Sequence, residues 1–228
     1  MLETLRAGFA PKNLDYAEGW ALQRRIHEGV VAGTRPDTLI LCEHAPVYTA
    51  GTSARREEYP ADGTPVIPVS RGGRVTWHGP GQLVGYPILT VAPLGIGGAD
   101  VVGHVRRLEY VLIRAAAAFG VRGVRVPGRS GVWVAAAPGG PGAFNKLAAI
   151  GIRVQNRVSL HGFALNCAED LEAFSGIIPC GIRDAGVTSL SLAGGTPVSA
   201  EEAAAVIGEH FERWYTSPAA LPDAAVSA

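Results

Sequence analysis

The sequence predicts a single α+β domain in which a mixed or antiparallel β-sheet is flanked by helices. Three observations lead to this prediction. Helical patterns are spread along the chain, short apolar runs of strand length lie between them, and these segments do not alternate as regular βαβ units. We expect residues 1–217 to form this domain and residues 218–228 to be a flexible C-terminal tail.

The first predicted helix covers Leu14–Val30. Its apolar residues indicate that one side is buried, and we expect Ala17, Trp20, Ala21 and Ile26 to lie on that side.

The strongest helical signal covers Val101–Phe119, where apolar residues recur at steps of three and four and form one continuous stripe. Asp100 is the expected N-cap, and Gly120 is expected in the left-handed conformation after the last turn. A last helix should begin at Ser199, which forms a capping box with Glu202.

Strands are predicted from short apolar runs that end at glycine, proline or polar residues. A proline at position 68 makes its run a candidate edge strand, because proline cannot donate a ladder hydrogen bond. The predicted strands are Thr38–Cys42, Val47–Thr49, Pro65–Ser70, Arg74–Trp77, Gln82–Leu89 and Val132–Ala136, followed by a hairpin of Lys146–Val154 and Val158–Asn166 around Gln155–Arg157.

Composition excludes several classes of function. Of the 228 residues, 47% are hydrophobic and 18% are charged, which fits one globular domain. Twenty basic residues balance 20 acidic ones, and a zero net charge argues against nucleic-acid binding. No run is long enough for a membrane span. The odd number of cysteines, three, fits no disulfide framework, and the N-terminus does not resemble a signal peptide. We therefore expect a cytoplasmic protein.

One glycine-rich segment does not fit a packed core strand. Residues 71–87 hold five glycines, two prolines, a histidine and a tryptophan in the sequence RGGRVTWHGPGQLVGYP. Glycine allows a ligand to approach the backbone closely, while Arg71, His78 and Gln82 add polar groups. The segment predicts the wall of a binding site.

Cys180 is the candidate nucleophile. It lies between Pro179 and Gly181, a context typical of a turn, but most unpaired cysteines are small buried hydrophobes, and the pattern alone leaves both interpretations open. Cys42 and Cys167 lie in apolar runs, so burial is the expectation for both.

A thiol with a pKa of about 8.5 needs a nearby cation to ionise at neutral pH. Lys146 is one of only two lysines in the chain and precedes a run of small apolar residues. A lone lysine is most often a solvated charge, but this context makes Lys146 the candidate partner of the thiol.

Two histidines have similar surroundings, His78 in WHGPG and His161 in LHGFA. Each is a candidate for proton transfer, and a pair of Cys180 with either histidine is an alternative to the pair with Lys146. Bonds to loop carbonyls are the simpler interpretation of both rings. No metal-ligand spacing and no phosphate-binding glycine loop is present, so we expect neither a metal nor a nucleotide cofactor.

Three segments together resemble the lipoyl(octanoyl) transferases of lipoate biosynthesis: RGGRVTWHGPGQLVGYP, KLAAIGIRVQNRVSLHGFALNC and FSGIIPCGI. The resemblance covers roughly Thr38–Leu192. It implies the catalytic fold shared by biotin and lipoate protein ligases. It also implies transfer of an octanoyl group from octanoyl-acyl carrier protein to a lysine of a lipoyl domain, through an acyl-thioester enzyme and without a cofactor. The implied acceptors are the lipoyl domains of the E2 subunits of 2-oxoacid dehydrogenases and the glycine cleavage H protein.

The resemblance assigns roles to individual positions. Cys180 matches the nucleophile of the family, and Lys146 matches the lysine that lowers the pKa of that thiol. The positions that match the acyl-binding pocket are Arg71, Gly72, Gly73, Arg74, Val75, Thr76, Trp77, His78, Ala149, Ile150, Gly151, Gly162, Phe163 and Ala164.

Two other functions remain as alternatives. An ATP-dependent lipoate or biotin ligase would share the fold but would need no nucleophilic thiol. A non-catalytic module that binds a carrier or a fatty acid would use the same pocket without turnover.

Overall fold

The structure, a computed structural model, describes residues 1–60, 63–93, 98–139, 142–168, 170–177 and 184–217. Its centre is a sheet of eight strands with the order β1-β2-β6-β10-β9-β8-β7, and β11 pairs with β9 beside this path. The strands are β1 Leu2–Arg6, β2 Asp37–Cys42, β6 Gln82–Ile88, β7 Val124–Val126, β8 Arg129–Ala135, β9 Phe144–Gln155, β10 Val158–Asn166 and β11 Gly186–Val187.

The sheet is mixed, as the sequence predicts. The pairs β1–β2 and β11–β9 are parallel, whereas the other neighbours are antiparallel. The predicted hairpin is confirmed as β9–β10. Its turn residues Asn156 and Arg157 have φ values of 51° and 62°, which are the left-handed angles that a tight hairpin turn requires.

Two helices cover one face of the sheet, α2 (Val101–Ala118) and α4 (Ala200–Thr216). Both predicted N-caps are confirmed, since the Asp100 side chain accepts from Gly103 N and Ser199 forms a capping box with Glu202. A short helix, α3 (Leu190–Gly194), precedes α4. Leucine, alanine and phenylalanine side chains fill the space beneath them, and we call this side the core face.

Helix α1 (Tyr16–Val31) covers part of the opposite face and starts at the N-cap Asp15. Ile26 is buried there, but the prediction that Ala17 and Ala21 are buried is wrong, because both are exposed. The helix is rotated so that Gly19 and Gln23 face inward. A Cβ on Gly19 would lie 2.8 Å from the His44 ring, so a glycine there lets the helix pack closely.

A second sheet of three strands lies next to α1 and has the order β4-β3-β5. Its strands are β3 Val47–Ala50, β4 Val66–Pro68 and β5 Val75–His78. We call the side of the main sheet that carries α1 and this small sheet the cavity face. Among the described residues, no helix is both long and apolar enough to cross a bilayer.

Candidate functional site

A cavity of about 280 Å³ lies on the cavity face of the main sheet. Strands β6, β9 and β10 form its floor, and the loop 71–74 and strand β5 form its opposite wall. The lining residues are Tyr16, Arg71, Gly72, Gly73, Arg74, Thr76, His78, Val84, Tyr86, Gly128, Arg129, Ser130, Lys146, Ala149, Ile150, Gly151, His161, Gly162, Phe163 and Ala164.

A β-bulge in β9 determines the direction of Lys146. Trp133 of β8 pairs with Lys146, but its neighbour Val132 pairs with Ala148, so the register shifts by one residue at Leu147. Bulges of this kind redirect side chains and are common beside active sites.

The consequence is visible on both faces of the sheet. Leu147 and Ala148 are both fully buried in the core beneath α2 and α4. Lys146 and Ala149 both line the cavity, although three positions separate them and strict alternation would place them on opposite faces.

Lys146 is 8% exposed, an unusual degree of burial for a lysine. Its Nζ lies 4.7 Å from the centroid of the Trp133 ring, which attracts a cation through its π face. Within the described ranges, no carboxylate lies at ion-pair distance from this ammonium group. At the rim of the cavity, Arg129 forms an ion pair of 2.5 Å with Asp184.

Arg71 holds the wall loop in place. Its guanidinium donates to the carbonyl oxygens of Gly72 (3.1 Å) and Arg74 (2.9 Å), and to both the carbonyl and the hydroxyl oxygen of Thr49 (3.0 and 2.8 Å). These bonds close the loop on itself and tie it to β3.

Several glycines allow this loop to lie against neighbouring backbone. Gly72 N donates to Ile152 O of β9 at 3.1 Å, and a Cβ on Gly151 would lie 2.9 Å from Gly72 O. A Cβ on Gly51 would likewise overlap Gly73 O. The close approach that the sequence predicts is therefore made, at these positions, by the protein's own loop.

His78 is fully engaged in hydrogen bonds. Its Nδ1 lies 2.8 Å from Gln82 Oε1, which can only accept, so the ring carries its proton on Nδ1. Its Nε2 then accepts from the Thr49 hydroxyl at 3.3 Å. Burial, followed by the nearby His44 and Arg71, lowers the pKa of His78 to about 3, so the ring is neutral at pH 7.

The hydrogen bonds continue in both directions from His78. On one side Arg71 donates to the Thr49 hydroxyl. On the other, Gln82 Nε2 donates to Asn166 Oδ1 at 3.0 Å, and Asn166 Nδ2 donates to Thr188 O at 2.9 Å. This buried chain links β3, β5, β6 and β10 to the residue that follows β11.

His161 has an unusual backbone conformation, with a φ of 59°. Its amide does not join the ladder with β6 but donates to Gln23 Oε1 of α1 at 3.0 Å. The ring lies on Trp20, with centroids 4.9 Å apart, and its Nε2 is 3.2 Å from Ser70 Oγ. Burial lowers the pKa of His161 to about 4, with smaller contributions from Arg71 and Arg153.

Two tyrosines complete the polar part of the lining. The Tyr86 hydroxyl lies 2.6 Å from His44 Nε2, while His44 Nδ1 donates to Leu14 O at 2.8 Å. Burial raises the pKa of Tyr16 to about 12 and also raises the pKa of Tyr86. Both are therefore neutral hydroxyl groups at pH 7.

The two cysteines that the structure describes are buried. Cys42 and Cys167 are both 0% exposed, and burial raises the pKa of the Cys42 thiol and raises that of Cys167 to about 12. Neither thiol ionises at neutral pH. Cys180, the predicted nucleophile, lies outside the described residues.

The structure brings most of the predicted site residues to this cavity. Val75 and Trp77 are the exceptions among the described ones, because side chains of β5 alternate: Thr76 and His78 face the cavity. Val75 and Trp77 face a separate apolar cluster with Phe174. No group of residues suited to hold a metal ion occurs in the described parts of the chain.

Six lining residues are not among the assigned pocket positions, although two of them lie within the glycine-rich segment that was predicted as a wall: Tyr16, Val84, Tyr86, Gly128, Arg129 and Ser130. The sequence pattern could have predicted Val84 and Tyr86 as lining residues. They are two positions apart in the glycine-rich segment and therefore share a face of β6. The others depend on how α1 and the β7–β8 turn pack against the sheet.

The sequence matches a known family over most of its length. The model of the lipoyl protein ligase A/B catalytic domain matches residues 15–212. The chain belongs to this family. It is 50% identical over 224 residues to a protein of Clavibacter sepedonicus named octanoyltransferase, covering 97% of this chain and 94% of that protein. A Salinispora arenicola protein of the same name is 53% identical over 210 residues, or 92% and 94% of the two chains.

The fold agrees with this assignment. A bipartite lipoate protein ligase of Thermoplasma acidophilum superposes with a TM-score of 0.67 at 14% sequence identity, covering 95% of this chain and 85% of that one. The predicted ligase-like catalytic fold is thereby confirmed.

Proposed function

We propose that this protein transfers an octanoyl group from octanoyl-acyl carrier protein to a lysine of lipoyl domains, through a thioester on Cys180. The observation that carries the proposal is the buried ammonium group of Lys146, which the β9 bulge directs into a cavity walled by glycine and alanine. The protein is an acyltransferase, in agreement with relatives about half identical in sequence that are named octanoyltransferases.

The cavity suits an acyl chain of this size. An apolar cavity of about 150 Å³ accepts benzene, a six-carbon ligand, so a cavity of about 280 Å³ has room for eight carbons. The small side chains of Ala149 and Ala164 leave space above the sheet. Burial of the six methylenes at about 0.8 kcal/mol each contributes on the order of 5 kcal/mol to binding.

The chain around Cys180 supports its role. Ile177 packs beside Phe174 and Val75 behind β5, and Asp184 is paired with the rim residue Arg129. Six residues, 178–183, connect Ile177 to Asp184. Both ends of this connection therefore lie near the cavity, whereas Cys42 and Cys167 are sealed in apolar clusters.

The proposed chemistry has two acyl transfers. The ammonium of Lys146 favours the thiolate of Cys180, because a nearby positive charge stabilises an anion in a partly dry site. The thiolate attacks the carrier thioester, a new thioester forms on Cys180, and the carrier thiol leaves with a proton from the Lys146 ammonium, which becomes a neutral amine. The neutral amine of the acceptor lysine then attacks the acyl-enzyme, the thioester bond breaks and frees the Cys180 thiolate, and neutral Lys146 takes the proton that the amine loses and becomes an ammonium again.

The partner of the thiol is Lys146 rather than a histidine. Both ring nitrogens of His78 are already used by Gln82 and Thr49. His161 is stacked on Trp20 and its pKa is about 4, so a positively charged ring would be rare at neutral pH. Neither histidine supplies the cation that the thiol requires.

The test is transfer from octanoyl-acyl carrier protein to an isolated lipoyl domain without nucleotide. We expect transfer by the native protein, none by Cys180→Ala, and retained transfer by the matched control Cys167→Ala, whose sulfur lies in the core. Transfer by Cys180→Ala would contradict the thioester mechanism.

The same assay separates the two alternatives. A ligase would need ATP and a free acid, so modification of the lipoyl domain by octanoate plus ATP, without carrier, would favour it. Tight binding of octanoyl carrier with no transfer under any condition would favour a non-catalytic binding module.

A further inference from the structure

We propose that His161, held between Trp20 and Ser70, is the end wall of the cavity and sets the length of the acyl chain that the enzyme accepts. This inference rests on the proposed function, since it concerns the substrate of the same site. It gives His161 a role in specificity rather than in proton transfer.

The position of His161 fits an end wall. It pairs with Ile152 on β9, six positions beyond Lys146, which corresponds to about 20 Å along the strand. Seven carbon–carbon bonds of about 1.5 Å span at most roughly 10 Å. The lining between Lys146 and His161 is therefore longer than the chain, and a chain whose methyl end meets the His161 ring has its carbonyl beside Ala149 and Ala164, on the Lys146 side.

The backbone of β10 places the ring there. Leu160 and Ala164 face the α1 side of the sheet, so strict alternation would turn position 161 towards the core face. The left-handed φ of His161 breaks the alternation and brings its side chain into the cavity lining. Pro87 of the adjacent strand β6 has no amide proton to donate, its carbonyl oxygen accepts from the Ser159 hydroxyl, and the His161 amide donates to Gln23 Oε1.

Behind the ring the protein surface is hollow. An apolar groove of about 510 Å³ lies between the start of α1 and the chain at the end of β4, and it is lined by Tyr16, Ala17, Trp20, Ile67, Pro68, Val69 and Ser70. A second groove of about 220 Å³, further along the same side of α1, also includes Trp20 and Ser70. Trp20 and Ser70, which hold the His161 ring, are thus the residues that the two outer grooves share, and Tyr16 lines both the first groove and the cavity.

The wall is neutral, which suits contact with a methyl group. The lowered pKa of His161 keeps the ring uncharged at pH 7, and its stacking on Trp20 fixes its plane. Without the ring, a longer chain would pass beneath Trp20 and place its last carbons against Ile67 and Pro68 instead of in water.

The test is the chain-length profile of the variant His161→Gly. Glycine adopts a φ near 60° without strain, so the variant removes the wall while the backbone keeps its conformation. The matched control is Arg157→Gly, which replaces another left-handed residue of the same hairpin, with φ 62°, outside the cavity lining. Transfer rates are compared for carriers loaded with acyl chains of 8, 10, 12 and 14 carbons.

We expect His161→Gly to raise the ratio of dodecanoyl to octanoyl transfer, in kcat/KM, at least tenfold, and Arg157→Gly to leave it unchanged. Trp20→Ala removes the ring on which His161 stacks and should raise the same ratio by a smaller factor. This variant is the test if His161→Gly does not fold. An unchanged ratio in both wall variants would overturn the inference, as would a loss of transfer that is equal for all chain lengths. If the native protein does not transfer octanoyl groups at all, the proposed function itself fails, and the two failures are distinguishable.

Discussion

The two faces of the main sheet use the same strands for opposite purposes. On the core face, Leu147, Ala148 and their neighbours are sealed under α2 and α4 with no solvent exposure. On the cavity face, β9 and β10 present glycine, alanine and a buried lysine to an open volume, and the polar groups there are bound in a hydrogen-bonded chain. Along β9, Lys146 therefore belongs to the cavity face, where we propose the chemistry occurs, and the next residue, Leu147, belongs to the buried core that stabilises the fold.

The largest expected effect is on the cavity side of this boundary. Lys146→Met keeps the apolar stem but removes the ammonium group, so we expect kcat/KM for octanoyl transfer to fall by about 10²–10⁴-fold. The melting temperature should change little. Single-turnover transfer and thermal unfolding measure the two quantities, and full activity in the variant would remove Lys146 from the mechanism.

The neighbouring residue on the core side should behave in the opposite way. Leu147→Ala leaves a hole in a fully buried cluster, and such changes cost about 2–5 kcal/mol. Urea denaturation measures this loss. The activity of the molecules that remain folded should fall far less than in Lys146→Met. A large loss of activity with unchanged stability would show that the two faces are not separated in this way.

Acid should destabilise the protein through its buried neutral histidines. The pKa of His78 is lowered from 6.5 to about 3, chiefly by burial, so the unfolded state binds a proton that the folded state does not. The contribution is complete above pH 6.5 and is lost progressively as pH falls towards 3. His78→Gln should reduce the slope of unfolding free energy against pH, between pH 6 and 4, by up to about 1.4 kcal/mol per unit.

A buried histidine on the core side, His104, provides a control for the pH dependence of stability. His104 on α2 is buried outside the cavity, and burial lowers its pKa to about 4. Denaturation series at several pH values on His78→Gln and a His104→Gln variant should show similar reductions in slope. Only His78→Gln should also change the kinetics of transfer. Identical slopes in the native protein and both variants would contradict neutral burial of these rings.

The smallest effects are expected at the N-caps of the helices that cover the two faces. Asp15→Ala at α1 and Ser199→Ala at α4 each remove a side-chain acceptor and should cost about 1 kcal/mol. Asp15 precedes the cavity residue Tyr16, so its loss should also raise KM, whereas Ser199→Ala should leave KM unchanged. Equal KM changes in the two variants would argue against a special role of α1 in the cavity.

The sequence predicts the elements well but not the directions of individual side chains. The hairpin and its turn follow from apolar runs on both sides of Asn156, and the fold class follows from the order of such runs. The bulge at Leu147 depends on how β8 pairs with β9, which no local pattern encodes. The glycine-rich segment was predicted as one continuous wall, yet Val75 and Trp77 turn away from the cavity because β5 is a regular strand.

The helix α1 illustrates a second limit. Its bounds follow from the pattern, but its inward face depends on His44 and His161, which are distant in sequence and pack against Gly19 and Gln23. This rotation also brings Tyr16 into the cavity. Contacts between distant segments therefore decide the polar part of the site.

The central claim is that one cysteine carries the acyl group beside the cavity. The most direct measurement is mass spectrometry of peptides after incubation with octanoyl-acyl carrier protein, without an acceptor. The account predicts an octanoyl adduct on the peptide that contains Cys180, with none on Cys42 or Cys167 and a lower yield in Lys146→Met. An adduct on another residue, or rapid transfer with no adduct at any time, would contradict it.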